Sequence, residues 1–323
     1  MKKILITGGA GFIGFHLLKR LRQEDAEIVL CDNLSRGVVD AELNEILESP
    51  NVSLIEADLT KKEEVEKLGT GFDEVFHLAA ILGVENVLRH PDEVMRVNVT
   101  ATMNILDWCS NGGGKKLFFS STSEAYAWTK LFHEIPVPTP ETVPLSLTDL
   151  KNPRASYAGS KVFGELATCQ YGEMRDMEYV IVRYHNVYGP RMGLDHVIPQ
   201  LHQRLIQGER PLKVRSTHHM RAFCYVDDAV DLSLNIMRQS AASGEIFNIG
   251  NDTEEISIGD LASKIIKLSE LEAEMDSVEA ENDPIQRRCP DMSKARKILD
   301  YAPRFSLDEG LQETIAWYTR FYN

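Results

Sequence analysis

Residues 2–14, KKILITGGAGFIG, limit what this chain can fold into more than any other stretch. A short apolar run, glycines at 8, 11 and 14, and the amphipathic continuation FHLLKRLRQ predict a strand, a tight turn and a helix. The GxxGxxG spacing has a physical use. Its first glycines permit a tight turn and close approach of backbone to a pyrophosphate, and its last lets the helix pack on the strand. The first turn of the helix then offers N–H groups with no intrahelical acceptor. A second apolar strand, 27–31 (EIVLC), runs into Asp32, 18 residues after Gly14. A carboxylate there accepts hydrogen bonds from a ribose 2′,3′-diol and repels a 2′-phosphate, so the pattern predicts NAD rather than NADP. Arg36 argues the other way, because an arginine beside that ribose can pair with a 2′-phosphate.

The alternation continues through VSLIEAD (52–58), a charged helix (61–68), EVFHLAA (74–80), a long helix (92–110) and KLFFSS (116–121). Near-continuous apolar strands separated by helices predict an α/β fold with a doubly wound parallel sheet of the Rossmann type. Asp58 and Leu59 fall where an adenine edge would lie, and Leu78, Ala79 and Ala80 where a dinucleotide would pass; each is equally an ordinary strand end. Prolines 136, 138, 140, 144 and 153 exclude a regular element and suggest a loop capping a site. YVIVRY (179–184) is a further buried strand, leading into HNVYGPRM (185–192). Beyond it lie a helix (195–207), a strand RAFCYV (221–226), a helix (228–239), a strand EIFNIG (245–250) and two closing helices. Capping boxes mark helix starts at Ser257 and at Ser306 with Glu309. The pattern divides into a dinucleotide-binding domain, 1–190, and a smaller mixed α/β substrate lobe, 191–323, interleaved with the main sheet.

Charge narrows the partners. Lys+Arg 35 against Asp+Glu 49 gives −14, which argues against nucleic acid as a partner. A small anionic substrate needs only a few local arginines. Five scattered cysteines without a CxxC pair predict reduced thiols in a cytoplasm. No run approaches 18 apolar residues and the N-terminus lacks a cleavage signal, so neither membrane span nor signal peptide is expected. The tandem His218 and His219 lie in a polar stretch without metal-ligand spacing, and no metal is predicted.

The remaining chemistry concentrates in PRASYAGSKVFGE (153–165). Tyr157 and Lys161, four apart, share one helix face. A phenol with a reference pKa of about 10 is no base at neutral pH. An ammonium about 4 Å away, at an effective dielectric of about 20, favours the phenolate by up to roughly 4 kcal/mol. The expectation is therefore a phenol acidified by its lysine.

With these residues in view, the chain resembles, over essentially its whole length, the extended short-chain dehydrogenase/reductases that modify nucleotide sugars. It is most similar to the UDP-glucuronate decarboxylases: TSE at 122–124, PRASY, GPRM at 189–192, RAF at 221–223 and a DPxxRxxPD-like segment at 283–291 carry the likeness. The stretch LAAILGVENVLRHP is closer to the epimerases. The resemblance implies that NAD is held by Gly8, Gly11, Phe12, Ile13, Gly14, Asp32, Asn33, Asp58, Leu59, Leu78, Ala79, Ala80, Tyr157 and Lys161. It implies that Tyr157 takes the proton of the sugar C4 hydroxyl as C4 is oxidised, with Thr122 sharing the proton path and Lys161 at the nicotinamide ribose. Glu124 is the acid/base or ring-positioning candidate. Arg221 is a candidate to orient a carboxylate or phosphate, and Asn186, Arg191 and Arg288 to anchor the diphosphate.

From a C4 ketone three outcomes diverge: loss of CO2 from a C5 carboxylate, return of hydride to the other face (4-epimerisation), or loss of the C6 hydroxyl (dehydration). Ser123, where dTDP-glucose dehydratases carry an acid, weakens the last. UDP-glucuronate decarboxylation to UDP-xylose is the leading expectation, and a silent NAD-binding regulator is the non-enzymatic alternative. The long helix 92–110, apolar nearly all round, implies by the same resemblance a homodimer built on a four-helix bundle.

Overall fold

The computed structural model describes residues 1–279 and 285–322. Asp283 and Pro284, which open the DPxxRxxPD-like segment, lie outside the described residues. The strands are β1 (Lys2–Thr7), β2 (Ala26–Asp32), β3 (Val52–Glu56), β4 (Phe72–His77), β5 (Gly114–Thr122), β6 (Glu178–Tyr184), β7 (Val187–Tyr188), β8 (Leu212–Arg215), β9 (Met220–Ala222), β10 (Cys224–Tyr225), β11 (Ile246–Ile249), β12 (Glu255–Ser257), β13 (Met275–Val278) and β14 (Arg287–Arg288). The helices are α1 (Phe12–Leu21), α2 (Ala41–Leu47), α3 (Lys62–Val65), α4 (Val84–Arg89), α5 (Pro91–Ser110), α6 (Glu124–Phe132), α7 (Ala155–Arg175), α8 (Val197–Ile206), α9 (Val226–Arg238), α10 (Ile258–Leu268), α11 (Ser293–Leu299) and α12 (Leu307–Tyr322).

A seven-stranded sheet has the order β11-β6-β5-β4-β1-β2-β3, and the pairs from β3 through β2, β1 and β4 to β5 are all parallel. The doubly wound parallel sheet expected from the apolar alternation is thus present. Strand order reverses where β1 meets β4, and in such sheets ligands bind outside the carboxyl ends of the strands at that reversal. Leu5, Val29, Phe72, Val75, Ile105, Leu117, Phe119 and Ile181 form the core of this layer. Helix α5 starts with Pro91 and then Asp92 and Glu93, a first turn suited to the free N–H groups there. Helix α7 ends at Asp176 in the left-handed conformation (φ 53°). Gly164 lets α7 lie close on β5, since a Cβ there would stand 2.2 Å from Cζ of the buried Phe119 ring.

The chain forms two compact units. The first comprises Met1–Ala125, Leu145–Arg183 and Val230–Phe247; the second comprises Tyr126–Pro144, Tyr184–Ala229 and the residues from Asn248 onward. In the second unit β12-β9-β14 form a three-stranded sheet, and β10-β7 and β13-β8 form two pairs. Fully buried Asn248 ties this unit together: its side chain accepts from the Tyr126 hydroxyl (2.9 Å) and donates to the carbonyls of Thr139 (2.9 Å) and Asp291 (3.2 Å). The proline-rich segment is pinned here too, with Thr139 N donating to Cys289 O and Asp291 N to Thr139 O. Both capping boxes form: Asp260 N donates to Ser257 Oγ, and Ser306 N donates to the Glu309 carboxylate.

Some boundaries differ from the sequence expectation. The 61–68 helix is α3 followed by one 3₁₀ turn, Glu66–Leu68. RAFCYV divides at Phe223 into β9 and β10, which pair in different sheets. Short α2, α4 and α6 were not legible: α2 and α4 bury too few residues to leave a 3.6-residue period, and α6 buries Ala125, Tyr126, Ala127, Trp128 and Thr129 in succession, so no face stands out. Helix α2 buries only Leu43 and Ile46, and it is set by Asp40, whose side chain accepts from Leu43 N at 3.0 Å. Among the described residues no helix is long and apolar enough to cross a membrane.

Candidate active site

The glycine turn after β1 makes a cradle that side chains would fill. Gly8 has φ +70°, and a Cβ there would sit 2.9 Å from Ala79 N; one on Gly14 would sit 2.3 Å from Gly8 O. Gly11 is the N-cap of α1 and offers no side chain to its first turn, where Phe12 and Ile13 lie. Asp32, at the end of β2, accepts from Ala10 N (3.1 Å) and Leu34 N (2.9 Å), which fixes its carboxylate beside the turn. Burial nevertheless raises its pKa, the opposing backbone bonds being the smaller effect. Gly37 is required next to it, since a Cβ would come within 2.9 Å of both Asp32 oxygens. Asn33 closes an Asx turn on Ser35. Arg36 donates to the carbonyl of Leu82 at 2.6 Å. Asp58 accepts from Thr60 N and Oγ1, Leu59 is buried, and Leu78, Ala79 and Ala80 are half-buried beyond β4. Bare backbone at a reversal point, a helix start and a carboxylate at the next strand end fit a dinucleotide.

The last three residues of β5 each hold a residue of α7. Lys161 Nζ donates to the Ser120 carbonyl at 2.8 Å, and Ser121 Oγ donates to Glu165. Tyr157 and Thr122 share a side-chain hydrogen bond. Thr122 Oγ1 also accepts from Glu124 N (3.2 Å), placing Glu124 at the start of α6 close enough to act on Tyr157 through its charge. The structure thus brings Thr122, Glu124, Tyr157 and Lys161 together in one unit.

Their electrostatics depart from expectation. The Tyr157 phenol is not acidified but pushed up to about 12, first by burial, with the Thr122 bond and Arg36 opposing and Glu124 reinforcing. Lys161 is not hydrogen-bonded to it: its ammonium donates to the Ser120 carbonyl and stands 5.2 Å from the centroid of the Phe119 ring. Burial brings Lys161 down to about 8, against the opposing charge of Glu165. Helical spacing puts the two residues on one face without making the cation the phenol's nearest partner.

Several groups here were missed from sequence. Glu165 is bound by Arg183 through Nε (2.9 Å) and Nη2 (2.6 Å), and both side chains are almost wholly buried. An arginine inside the apolar run YVIVRY was the available signal, because a buried charge needs a partner. His77, at the end of β4, bonds Thr7 Oγ1 at 2.8 Å. Burial, then the Lys161 cation, lower its pKa to about 3, so it is a neutral ring. Nothing in EVFHLAA marked it.

The second unit holds the anion-binding candidates. Arg221 is not an exposed edge residue: it lies on β9, the middle strand, and is buried, with Nη1 donating to Met220 O (2.9 Å) and Gln286 O (3.1 Å). Arg288 on β14 is its direct register partner. Lys130, which donates to the Arg287 carbonyl, has its pKa lowered by burial and by Arg288, Arg221 and Arg287. Two arginines in register with a lysine nearby repel one another, and an anion relieves that repulsion. Asn186 (φ 40°) instead donates to Ala222 O at 2.9 Å, and Arg191 (φ 67°) lies in the turn after β7.

Against known proteins, the model of the "NAD dependent epimerase/dehydratase family" matches residues 4–250. The chain is 33% identical to the UDP-N-acetyl-alpha-D-glucosaminuronate decarboxylase of Bacillus cytotoxicus, covering 100% of this chain and 99% of the relative. It is 32% identical to UDP-glucuronic acid decarboxylase 6 of Arabidopsis thaliana, covering 96% and 86%. Among solved structures, the UDP-glucose 4-epimerase of Thermotoga maritima, crystallised with UDP-glucose, superposes with a TM-score of 0.87 at 28% identity, covering 99% and 100%.

The buried neutral His77 has a measurable consequence. Its pKa of about 3 lies below the unfolded value, so on acidification the unfolded chain takes up a proton that the folded one refuses. Stability is lost as pH falls from about 6.5 toward 3, at up to about 1.4 kcal/mol per unit. Urea unfolding at pH 6.5 and pH 5 should therefore show His77→Gln losing about 1–2 kcal/mol less over the interval than the parent. Equal losses would contradict a neutral buried ring.

Proposed function

Because the chain belongs to the NAD dependent epimerase/dehydratase family, we propose that it modifies a UDP-sugar by transient oxidation at C4, decarboxylating UDP-glucuronate to UDP-xylose. The observation that carries this reading is the register pairing of buried Arg221 with Arg288 beside Lys130. In a chain of net charge −14, so much positive charge in one place suits a substrate with a diphosphate and a carboxylate. The decarboxylase names of the Bacillus and Arabidopsis relatives support the choice of reaction.

Gly8, Gly11, Phe12, Ile13, Gly14, Asp32, Asn33, Asp58, Leu59, Leu78, Ala79 and Ala80, with Tyr157 and Lys161, would hold NAD, Asp32 on the ribose diol and the turn on the pyrophosphate. When bound, NAD+ accepts a hydride from the sugar, returns it, and places a positive ring in the site. Tyr157 takes the C4 hydroxyl proton, Thr122 steadies that oxygen, and Lys161 keeps positive charge behind the phenol. With C4 at the ketone level, a carboxyl group on C5 is a β-keto acid. Its C–C bond breaks, CO2 leaves, and the electron pair is held as the C4–C5 enolate. A proton is then delivered to C5, for which Glu124 is the candidate, and Tyr157 returns its own proton to the C4 oxygen. Arg221 orients the carboxylate or adjacent phosphate, and Asn186, Arg191 and Arg288 anchor the diphosphate.

A 4-epimerase is the second reading, supported by the Thermotoga structure and by the epimerase-like stretch after β4. We assign cofactor binding to 1–190 and nucleotide-sugar binding to 191–323, and the cytoplasm as the compartment. We also propose a homodimer: α5 and α7 leave Met95, Phe163, Leu166 and Met174 exposed, suiting a second copy.

Incubation with NAD+ and either UDP-glucuronate or its 2-acetamido analogue should release CO2. Tyr157→Phe should lower kcat by about 10²–10⁴-fold. A product of unchanged mass would mean an epimerase, loss of water a dehydratase, and no turnover of any UDP-sugar a binding protein. Light scattering should give twice 36.4 kDa; a single-chain mass at micromolar concentration would exclude the dimer.

A further inference from the structure

Tyr157, Lys161 and Glu165 are spaced i, i+4, i+8 along α7, and β5 meets them at three consecutive residues, Thr122, Ser120 and Ser121 respectively. The first two belong to the reaction proposed above. The third has no part in it, although it is a carboxylate only 5% exposed. Its surroundings are built for a charge. Arg183 grips both oxygens in a fork, and Ser121 adds a third donor. The Glu165 carboxylate thus faces an arginine and three hydrogen-bond donors inside the core.

Lys161 has few other means of staying charged. Around it stand the Ser120 carbonyl and Phe119 ring from β5, neutral His77 from β4, and Tyr157 and Glu165 on its own helix, with Arg183 of β6 behind Glu165. Helix α5 contributes Asn98, bonded to Ser160, and Thr102, close to His77, both uncharged. Glu165 is therefore the one negative charge among these groups. We propose that Glu165, clamped by Arg183 and Ser121, is a positioning residue that keeps Lys161 a cation against the end of β5. It touches neither substrate nor cofactor and acts through the lysine. This rests on the proposed function only for its catalytic consequence; the charge state of Lys161 is a property of the chain alone.

The direction follows from the opposing effects on the ammonium. Burial lowers the Lys161 pKa to about 8 against the opposing charge of Glu165, so removal of the carboxylate charge lets it fall further. A neutral lysine at pH 7.5 gives no electrostatic help to phenol ionisation, and turnover drops although the substrate contacts are intact.

The test is an NMR titration of Lys161, followed at its ζ-nitrogen in ¹⁵N-lysine-labelled protein and assigned with Lys161→Gln. The parent should titrate near pH 8, Glu165→Gln at least one unit lower, and Glu165→Asp close to the parent. An unchanged midpoint in folded Glu165→Gln overturns the proposal. Should Glu165→Gln not fold, Glu165→Gln/Arg183→Gln removes both charges and keeps an amide pair. The two charges act on Lys161 with opposite signs, and Arg183 stands behind Glu165, so a downward shift smaller than in the single variant is expected, and its absence is equally decisive. The pH profile of kcat/KM for CO2 release is the second readout. In Glu165→Gln it should fall about tenfold at pH 7.5 with KM within twofold. If the titration shifts but no variant or parent releases CO2, the substrate assignment has failed and the role of Glu165 stands.

Discussion

The site depends on how closely one helix lies on one strand end. Where β5 finishes, a backbone carbonyl and two hydroxyls in succession grip α7, and the absence of a side chain at Gly164 allows the approach. Each bond has a different purpose. The Ser120 carbonyl satisfies an ammonium that has no access to water, the Ser121 hydroxyl completes a buried ion pair, and the Thr122 hydroxyl meets a phenol. A slip of one residue between strand and helix would set the carbonyl and the two hydroxyls against the wrong residues of α7. Burial in the core beneath, from Phe119, Ile105 and Ile181, makes such a slip expensive.

The same packing raises the pKa of the phenol. Desolvation disfavours a phenolate more than Thr122 and Arg36 favour it, and Lys161 is committed elsewhere. The glycine cradle of the first unit is formed at the sheet reversal, beside the end of β4 that carries His77. In the second unit, a middle strand carries Arg221 in register with Arg288, so the cation cluster is built from sheet pairing rather than from a loop.

Much of this was legible in the sequence because it follows local rules. The glycine spacing, the acidic residue at the end of β2, the alternation of apolar strands with helices, and the Ser257 and Ser306 caps all depend on neighbours within one turn or strand. What escaped depends on partners far apart in the chain. Glu165 and Arg183 look like an ordinary helix glutamate and an odd strand arginine until the fold joins them. His77 is invisible in EVFHLAA, because neutrality comes from total burial rather than from any motif. The expectation of an acidified phenol failed for a related reason: spacing gives the face of a helix, not the competing carbonyl that claims the cation. Short α2 was missed because a capping side chain sets it, where a hydrophobic period would have been read, and α6 because its consecutive burial shows no period.

Packing on β5 keeps the Tyr157 phenol protonated at neutral pH, and the account of the site turns on this. Its most direct measurement is the ¹³Cζ resonance of Tyr157 in tyrosine-labelled protein, assigned with Tyr157→Phe and followed with pH, first without and then with NAD+. The free protein should show no ionisation below pH 10, consistent with a phenol pushed up to about 12, and NAD+ should bring the midpoint down. A free phenol that ionises below pH 9 would contradict the account.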